Sequence, residues 1–222
     1  MFSDEDEDLS VTSGVSAAPH EQEASKNDEL QDWQKFMPVQ IDCEQLKVVD
    51  HLPFWTLSSV RSGEGIDELL SNRKSLFWGT AGVLPHQCVI EFNKKTELCF
   101  LLFNIDKRYD ETYTPEIVQV SYGMSVEMLG APRKTTVRIE QGWQVLDLRG
   151  PNNTPAKAFV FVLEILKNVL DGKDSRIRGM HLLGPITSKY CRVDDLASRI
   201  EVVTVANKKE GLCRDMGMFS IR

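Results

Sequence analysis

The sequence predicts an all-β fold, a β-sandwich or jelly roll, and three features of the chain lead to this prediction. Short apolar or alternating runs recur along it, and they are rich in β-branched and aromatic residues. Turns containing glycine and proline separate the runs at regular intervals. Only one short stretch of the body, residues 65–72 (GIDELLSN), has a helical pattern. Many short strands with regular turns are typical of two antiparallel sheets packed face to face.

The strand candidates alternate in polarity in the shorter runs and are almost wholly apolar in two others. The apolar runs are residues 98–103 (LCFLLF) and 158–166 (AFVFVLEIL). The second is long enough for a helix, but its valine and phenylalanine content, and Pro155 before it, favour a central strand. The shorter runs are residues 88–92, 117–122, 143–148 and 200–205. Tryptophans beside such runs are assigned to the core, and these are Trp55, Trp78 and Trp143.

The charge is unevenly distributed and divides the chain into three parts. The 222 residues carry a formal net charge of −7, yet residues 1–50 alone hold 13 acids and 3 bases. A segment so acidic and so poor in large apolar residues does not bury enough surface to offset its ordering entropy. We therefore predict a mostly disordered acidic extension at residues 1–44, a β-domain at 45–206 and a tail at 207–222. Within the extension, three apolar residues at helical spacing indicate one short helix: Leu30, Trp33 and Met37.

Composition argues against several classes of protein. The excess of acids does not fit a nucleic-acid binder that works through bulk positive charge. No apolar run approaches the roughly 18 residues that a membrane helix needs, and the N-terminus lacks the basic and apolar regions of a signal peptide. We therefore expect a soluble, unexported protein. The five cysteines are odd in number and widely spaced, which argues against a disulfide framework or a zinc site: Cys43, Cys88, Cys99, Cys191 and Cys213.

Catalytic motifs find little support in the sequence. Residues 71–74 (SNRK) fit the Ser-x-x-Lys pattern of penicillin-binding enzymes, but the companion motifs are missing. The four histidines have no metal-ligand spacing among themselves or with the cysteines. Buried, inert thiols are the favoured interpretation of the cysteines, and a Cys/His pair joined by the fold is the alternative. Polar and aromatic residues concentrated in turns instead favour binding, because loops on a rigid β scaffold commonly carry recognition.

Four segments, in this order, resemble the Doc domain. They are residues 55–65 with WTLSS and Gly-x-Gly, residues 77–86 with FWG and Pro-His, residues 110–115 (DETYTP), and residues 171–178 (DGKDSRIR) followed by an apolar strand. The final residues Ser220, Ile221 and Arg222 are similar to the Ile-Arg tail of the stand-alone Doc subunit, the tenth subunit of the anaphase-promoting complex. The resemblance covers most of residues 45–190 and the C-terminus.

This resemblance implies a galactose-binding-like jelly roll and a non-catalytic role without cofactor or metal. Members of the family help a cullin-type RING ubiquitin ligase to hold substrates that carry the destruction-box degron, which they share with a WD40 coactivator in cell-cycle control. The implied partners are the other subunits of the complex, including a tetratricopeptide-repeat scaffold and a cullin-like subunit, but neither nucleic acid nor membrane. The implied location is the nucleus and the cytoplasm.

The resemblance also implies roles for particular residues. Ile221 and Arg222 are expected to dock in a groove of a tetratricopeptide-repeat subunit, where acidic side chains would grip the guanidinium. The chain differs from the family pattern at two loop positions, with Asp171 in place of the usual asparagine and Arg176 in place of histidine. The degron-facing residues carried over from the family are Thr112 and Tyr113 in one loop and Asp171, Gly172, Lys173, Asp174, Ser175 and Arg176 in another.

Other interpretations remain open at this level. Without the resemblance, Asp171 and Gly172 would be a plain hairpin turn and the last residues a frayed terminus. A carbohydrate-binding module on the same jelly-roll architecture is the alternative function, because a fold does not determine a function. An enzyme of unrecognised type comes third.

Overall fold

The structure is a computed structural model, and it describes residues 28–186. Eleven strands, two short α-helices and several 3₁₀ turns make up this part of the chain. The α-helices are α1 (Ile66–Leu69) and α2 (Lys107–Asp110), and the 3₁₀ turns are Trp33–Phe36, Cys43–Gln45, Glu111–Tyr113, Pro151–Asn153 and Val169–Asp171. The strands are β1 (Leu46–Val48), β2 (Phe54–Leu57), β3 (Trp78–Gly79), β4 (His86–Leu98), β5 (Phe100–Asp106), β6 (Pro115–Gly123), β7 (Arg133–Thr136), β8 (Gln141–Asp147), β9 (Ala156–Asn168), β10 (Arg176–Ile177) and β11 (Gly179–Pro185).

Two antiparallel sheets pack face to face, which confirms the predicted β-sandwich. The larger sheet has the order β2-β4-β9-β6-β7, and the smaller has the order β1-β11-β5-β8, while β10 and β3 form a separate pair. The apolar run at 158–166 lies in β9, the middle strand of the larger sheet, as predicted. The predicted helix at 65–72 is the single turn α1. No helix of the described residues is long and apolar enough to cross a membrane.

The main core lies between the sheets and takes one face of each strand. Leu101, Phe103 and Ile105 point inward from β5 and are fully buried against Phe161 and Leu163 of β9 in the same cluster. Trp78 is also fully buried there, and Trp55 packs against the cluster from its edge. The core assignment of these two tryptophans is therefore confirmed, although Trp55 keeps part of its surface exposed.

The outer face of the smaller sheet is covered as well, by residues 28–45, which we call the N-terminal strap. Phe100, Leu102 and Trp143 on this face are buried under strap residues such as Leu30 and Phe36. The Trp143 indole Nε1–H donates to the backbone carbonyl of Gln31 at 2.6 Å. Because both faces of β5 are buried, its sequence is an unbroken apolar run rather than an alternation of apolar and polar residues.

A glycine lets the strap approach the sheet closely. Gly142 of β8 has a φ of +104°, and a Cβ atom at this position would overlap the ring of Phe36. A larger residue would be strained in this backbone conformation and would also push the strap outward. The sequence of β8 is thus adapted to the aromatic side chain that lies on it.

The strap changes the predicted start of the domain. The helical stripe of Leu30, Trp33 and Met37 is realised as a 3₁₀ turn, Trp33–Phe36, with its apolar residues on the sheet. Residues 28–44 therefore belong to the packed body, and the expectation of a mostly disordered extension does not apply to them. The rest of the predicted extension (1–27), the strand candidate at 200–205 and the tail at 207–222 lie outside the described residues.

Replacing Phe36 with alanine should lower the free energy of unfolding by about 2 kcal/mol, roughly half the cost of truncating a fully buried phenylalanine. The ring is half-buried and fills the space above Gly142. Urea denaturation of the full chain measures the change. Val39→Ala in the same segment is the matched control, because Val39 is 99% exposed and its truncation should change stability very little. Equal stability of both variants would contradict the packed strap.

Candidate functional site

The two loops predicted to face a degron lie against each other at one end of the sandwich. The first, residues 107–114, contains α2 and the 3₁₀ turn Glu111–Tyr113, and the second, residues 169–178, leads from β9 to β11. Gly172 makes the close contact, since a Cβ atom there would overlap the backbone carbonyl of Thr112. The Val169 backbone N–H also donates to the Thr114 carbonyl at 3.0 Å. The structure thus joins two segments that are far apart in sequence.

A buried asparagine organises the 169–178 loop. Asn168 is fully buried at the end of β9, and its Nδ2 donates to the carbonyls of Gly172 and Asp174 at 3.1 and 2.8 Å. Its Oδ1 accepts from the Ser175 hydroxyl at 2.9 Å. Ser175 is itself only 1% exposed, and its backbone N–H donates to Thr80 Oγ1 at 2.7 Å. Ser175 therefore shapes the loop from beneath rather than presenting its side chain at the surface.

Asp174 fastens the loop to the segment after β3. One carboxylate oxygen accepts from the backbone N–H of Gly82 at 3.0 Å, and the other pairs with the guanidinium of Arg61. Arg61 also donates from Nε to the Thr80 carbonyl at 3.0 Å. The buried His86 lies within 2.8 Å, Nε2 to oxygen, of the Lys173 carbonyl. With these contacts the loop is held in one conformation before any ligand arrives.

Arg176 links the two loops through aromatic rings. Its guanidinium carbon lies 4.4 Å from the ring centroid of Tyr113 and 4.5 Å from that of Phe77, so that the cation is enclosed by two rings. Nη1 of Arg176 is 3.5 Å from Asp110 Oδ1. Because this side chain is only a quarter exposed, its main contribution is to hold Tyr113 in place.

Beneath Arg176 lies a buried ion pair that the sequence analysis missed. Arg178 donates from Nε and Nη2 to both oxygens of Asp110, at 2.8 and 2.6 Å, and a further nitrogen donates to the Lys74 carbonyl. Asp110 is 1% exposed and Arg178 is 9% exposed. Both residues stand in the quoted motifs DETYTP and DGKDSRIR, but neither motif shows by itself that they are partners.

The remaining predicted residues form the accessible surface, which we call the recognition surface: Thr112, Tyr113, Asp171 and Lys173. Thr112 and Tyr113 are half-buried, whereas Asp171 and Lys173 are exposed. Asp171 and its neighbour Leu170 have φ values of +57° and +53°, which is uncommon for residues other than glycine and asparagine. Lys167 Nζ lies 3.7 Å from Asp171 Oδ1. The surface thus combines two half-buried polar side chains, Thr112 and Tyr113, with two exposed charges of opposite sign.

The thiols are not activated within the described residues. Burial raises the pKa of Cys88, and burial also raises the pKa of Cys99 and Cys43, with nearby carboxylates adding to the effect. A raised pKa keeps a thiol protonated and poorly nucleophilic. No group of three or more histidine, cysteine, aspartate or glutamate side chains within residues 28–186 is arranged to hold a metal ion. Cys191 and Cys213 lie outside this range.

Two bacterial domains are among the solved structures with the same architecture. A CBM32 domain of Clostridium perfringens, solved in complex with GalNAc-β-1,3-galactose, superposes with a TM-score of 0.51 at 11% identity, over 61% of this chain and 99% of that one. An F5/8 type C domain of a Bacteroides fragilis protein gives a TM-score of 0.51 at 13% identity, over 64% and 97%. These similarities establish the galactose-binding-like fold and nothing about ligands.

The family assignment comes from the sequence comparison. The family model described as "Anaphase-promoting complex, subunit 10 (APC10)" matches residues 17–208. The chain belongs to the APC10 family. Among the relatives, anaphase-promoting complex subunit 10 of Dictyostelium discoideum is 30% identical over 145 residues, which is 65% of this chain and 76% of that protein. The human subunit 10 is 29% identical over 132 residues, or 60% and 71%.

The APC10 match agrees with the Doc-domain resemblance and extends it at the N-terminal side. The match begins at residue 17, upstream of the predicted boundary at residue 45, and so includes the strap. Sequence reasoning noted three apolar residues of the strap at helical spacing but did not predict that they pack on the smaller sheet. It also missed Arg61 and Asp110, whose partners are far away in sequence, and Asn168, whose partners are nearby but whose role depends on how the 169–178 loop folds over it.

Proposed function

We propose that this APC10-family chain is a non-catalytic substrate-recognition subunit of the anaphase-promoting complex E3 ubiquitin ligase and a co-receptor for destruction-box degrons. One observation carries the proposal. The two loops that the resemblance marked as degron-facing are in contact, and they leave Asp171 and Lys173 exposed beside Thr112 and Tyr113. An extended peptide leaves its backbone N–H and C=O groups unpaired, and short polar side chains on rigid loops can satisfy them.

The mechanism rests on sharing one short peptide with a WD40 coactivator. Two weak contacts on the same degron raise its residence time, because release of one contact leaves the peptide at a high effective concentration near the other. Longer residence allows more ubiquitins to be added in one encounter. Ubiquitin transfer itself is carried out by other subunits and by the conjugating enzyme. We place this role in cell-cycle control, and in the nucleus and the cytoplasm.

Incorporation into the complex is assigned to other parts of the chain. We propose that Ile221 and Arg222 dock in a tetratricopeptide-repeat subunit and that the domain contacts a cullin-like subunit. The tail lies outside the described residues, and its basis is the Doc-domain resemblance. Deletion of Ile221 and Arg222 should weaken co-purification with the complex while leaving the melting temperature of the isolated chain unchanged.

The proposed recognition is tested by replacing Asp171 and Lys173 with alanine in a reconstituted ligase. Both side chains are exposed, so the fold should be unaffected. We expect normal incorporation, but a residence time of destruction-box substrates that is about threefold to tenfold shorter, with correspondingly shorter ubiquitin chains. Glu91→Ala with Lys134→Ala is the charge-matched control on the larger sheet, because both residues are exposed and lie outside the two loops. Normal processivity of the Asp171/Lys173 variant would contradict the proposal.

A further inference from the structure

We propose that a pocket beside the recognition surface binds the backbone of the degron-bearing peptide next to the degron, through the carboxamide of Asn104. The proposal rests on the proposed function, since it concerns the same bound chain. It adds a second subsite, which accepts a neutral peptide amide rather than a particular side chain.

The pocket lies where the N-terminal strap enters the sandwich. It has a volume of about 450 Å³, within the usual range of ligand pockets. Its floor is the end of β5, on the outer face of the smaller sheet, with Asn104 and Asp106. Its walls come from the strap, the segment before β3, α2, the start of β8 and Arg178.

Asn104 is the observation that points to a ligand. It is only 4% exposed, yet among residues 28–186 its carboxamide has no hydrogen-bond partner. A side chain so little exposed is usually hydrogen-bonded, and the small exposed part of Asn104 leaves its amide accessible only from the pocket. The side chain instead lines the pocket, where a bound group can reach it.

The charged side chains next to Asn104 in the pocket already have partners within the protein. The pocket is therefore expected to bind a neutral group rather than an ion. Asp28 accepts from the backbone N–H and the hydroxyl of Ser75 at 2.9 and 2.6 Å. Arg178 is paired with Asp110, and Asp106 accepts from the Arg108 backbone N–H at 3.1 Å. The buried lining residue of the described part that has no side-chain partner, Asn104, is instead a neutral group with a donor and an acceptor. Its complement is another amide, such as the peptide group of an extended chain.

The pocket and the recognition surface are linked through Asp110. Arg178 lines the pocket, and Arg176, two residues earlier, holds Tyr113 at the recognition surface, while both arginines contact Asp110. Tyr109 also lines the pocket and is 76% exposed. In the proposed path, a peptide that leaves the recognition surface at Tyr113 follows the same loop to Tyr109 and enters the pocket with Asn104.

The strap wall is held firmly enough to form a site. The backbone N–H of Leu30 donates to the Asn72 carbonyl at 3.0 Å, and that of Lys74 donates to the Asp28 carbonyl at 2.6 Å. Trp143 anchors Gln31 from the sheet side. Residues 28–31, which the sequence placed in the acidic extension, thus become part of the recognition mechanism.

The test uses the full chain in the reconstituted ligase with its coactivator. Two fluorescent peptides are compared by anisotropy, a minimal destruction box and the same degron extended on both sides by substrate sequence. With the wild-type chain the extended peptide should bind more tightly. Asn104→Leu should reduce this gain by about threefold to tenfold, the value of one hydrogen bond, and should leave binding of the minimal peptide unchanged. N-methylation of the flanking amides should cause the same loss on the wild-type chain.

Two further variants keep the experiment decisive. Tyr109→Ala, at an exposed position, should also reduce the gain, so the result does not depend on how the strand tolerates leucine. Asn93→Leu is the matched control, because Asn93 is an exposed asparagine of β4 remote from the loops. Asn104→Leu should leave the melting temperature unchanged or higher, because the carboxamide makes no hydrogen bond to residues 28–186 that the substitution would break.

The outcomes separate this inference from the proposed function. If the minimal degron binds and its affinity depends on Asp171 and Lys173, but Asn104→Leu and Tyr109→Ala leave the gain from extension intact, the inference is overturned. A lower melting temperature of Asn104→Leu with an intact gain would likewise overturn it, by giving the carboxamide a structural role. If neither peptide binding nor processivity depends on Asp171 and Lys173, the proposed function itself fails.

Discussion

Replacement of Asp110 by alanine is expected to destabilise the protein by about 3–5 kcal/mol, the cost of breaking a buried ion pair from one side. The substitution leaves the guanidinium of Arg178 buried without its carboxylate partner and also removes a contact of Arg176. Binding to the recognition surface should weaken as well, because Arg176 and Tyr113 lose their support. Urea denaturation and the degron-binding assay measure the two effects.

A double variant tests whether the unpaired charge of Arg178 causes the loss of stability. Asp110→Ala with Arg178→Met removes both charges, and it should recover much of the lost stability because no buried charge remains unpaired. Lys157→Ala is the control for an exposed pair. It breaks the ion pair with Glu97, in which the lysine side chain is 55% exposed, and should cost less than about 1 kcal/mol. An Asp110→Ala cost as small as that of Lys157→Ala would show that the buried pair is unimportant.

Replacement of Gly172 by alanine should separate the two loops and abolish most of the contribution of this chain to processivity. The new Cβ atom would overlap the Thr112 carbonyl, so either the 169–178 loop or the 107–114 loop must move. The φ of Gly172 is −58°, which alanine adopts readily, and the effect is therefore steric contact rather than backbone strain. In the reconstituted ligase, ubiquitin chains on destruction-box substrates should become as short as those made without this chain.

The fold and the assembly should tolerate this change, because the contact lies between surface loops. Gly130→Ala is the matched control, since its Cβ would meet only the Tyr122 carbonyl at 3.4 Å, an ordinary van der Waals distance. Co-purification with the complex should be unchanged for both variants. Full processivity of Gly172→Ala would show that the packing of the two loops is not needed for recognition.

Much of the fold was predictable because each strand has a local pattern of apolar and polar residues in the sequence. Alternation places Cys88 and Ile90 in the core from β4, and an unbroken apolar run indicates that β9 is central. The burial of Trp78 and Trp143 follows from the same pattern. The strap was not predictable in this way, since 3₁₀ turns have no sustained period and Leu30 and Met37 pack on a surface that only the folded sheet provides.

The candidate site divides in a similar manner. The loop segments with Thr112 and with residues 171–176 were identified by resemblance, and the structure brings them together. The sequence alone did not distinguish their individual roles, because Ser175 and Asp171 are both polar residues of one loop. Burial separates them, with Ser175 1% exposed and Asp171 at the surface.

By itself, the sequence determined the β-sandwich class, the membership of the central strands and the ordered motifs of the family. These properties depend on the period of side-chain polarity and on ordered motifs, both of which are local in the chain. Only the tertiary structure decided that Asp110 is the partner of Arg178, that Asn168 holds the 169–178 loop, and that the strap walls a pocket over Asn104. The Asp110–Arg178 pair and the pocket join residues distant in sequence, whereas the contacts of Asn168 are local. The energies of all of them arise from burial and from hydrogen-bond geometry that exist only once the sheets have packed.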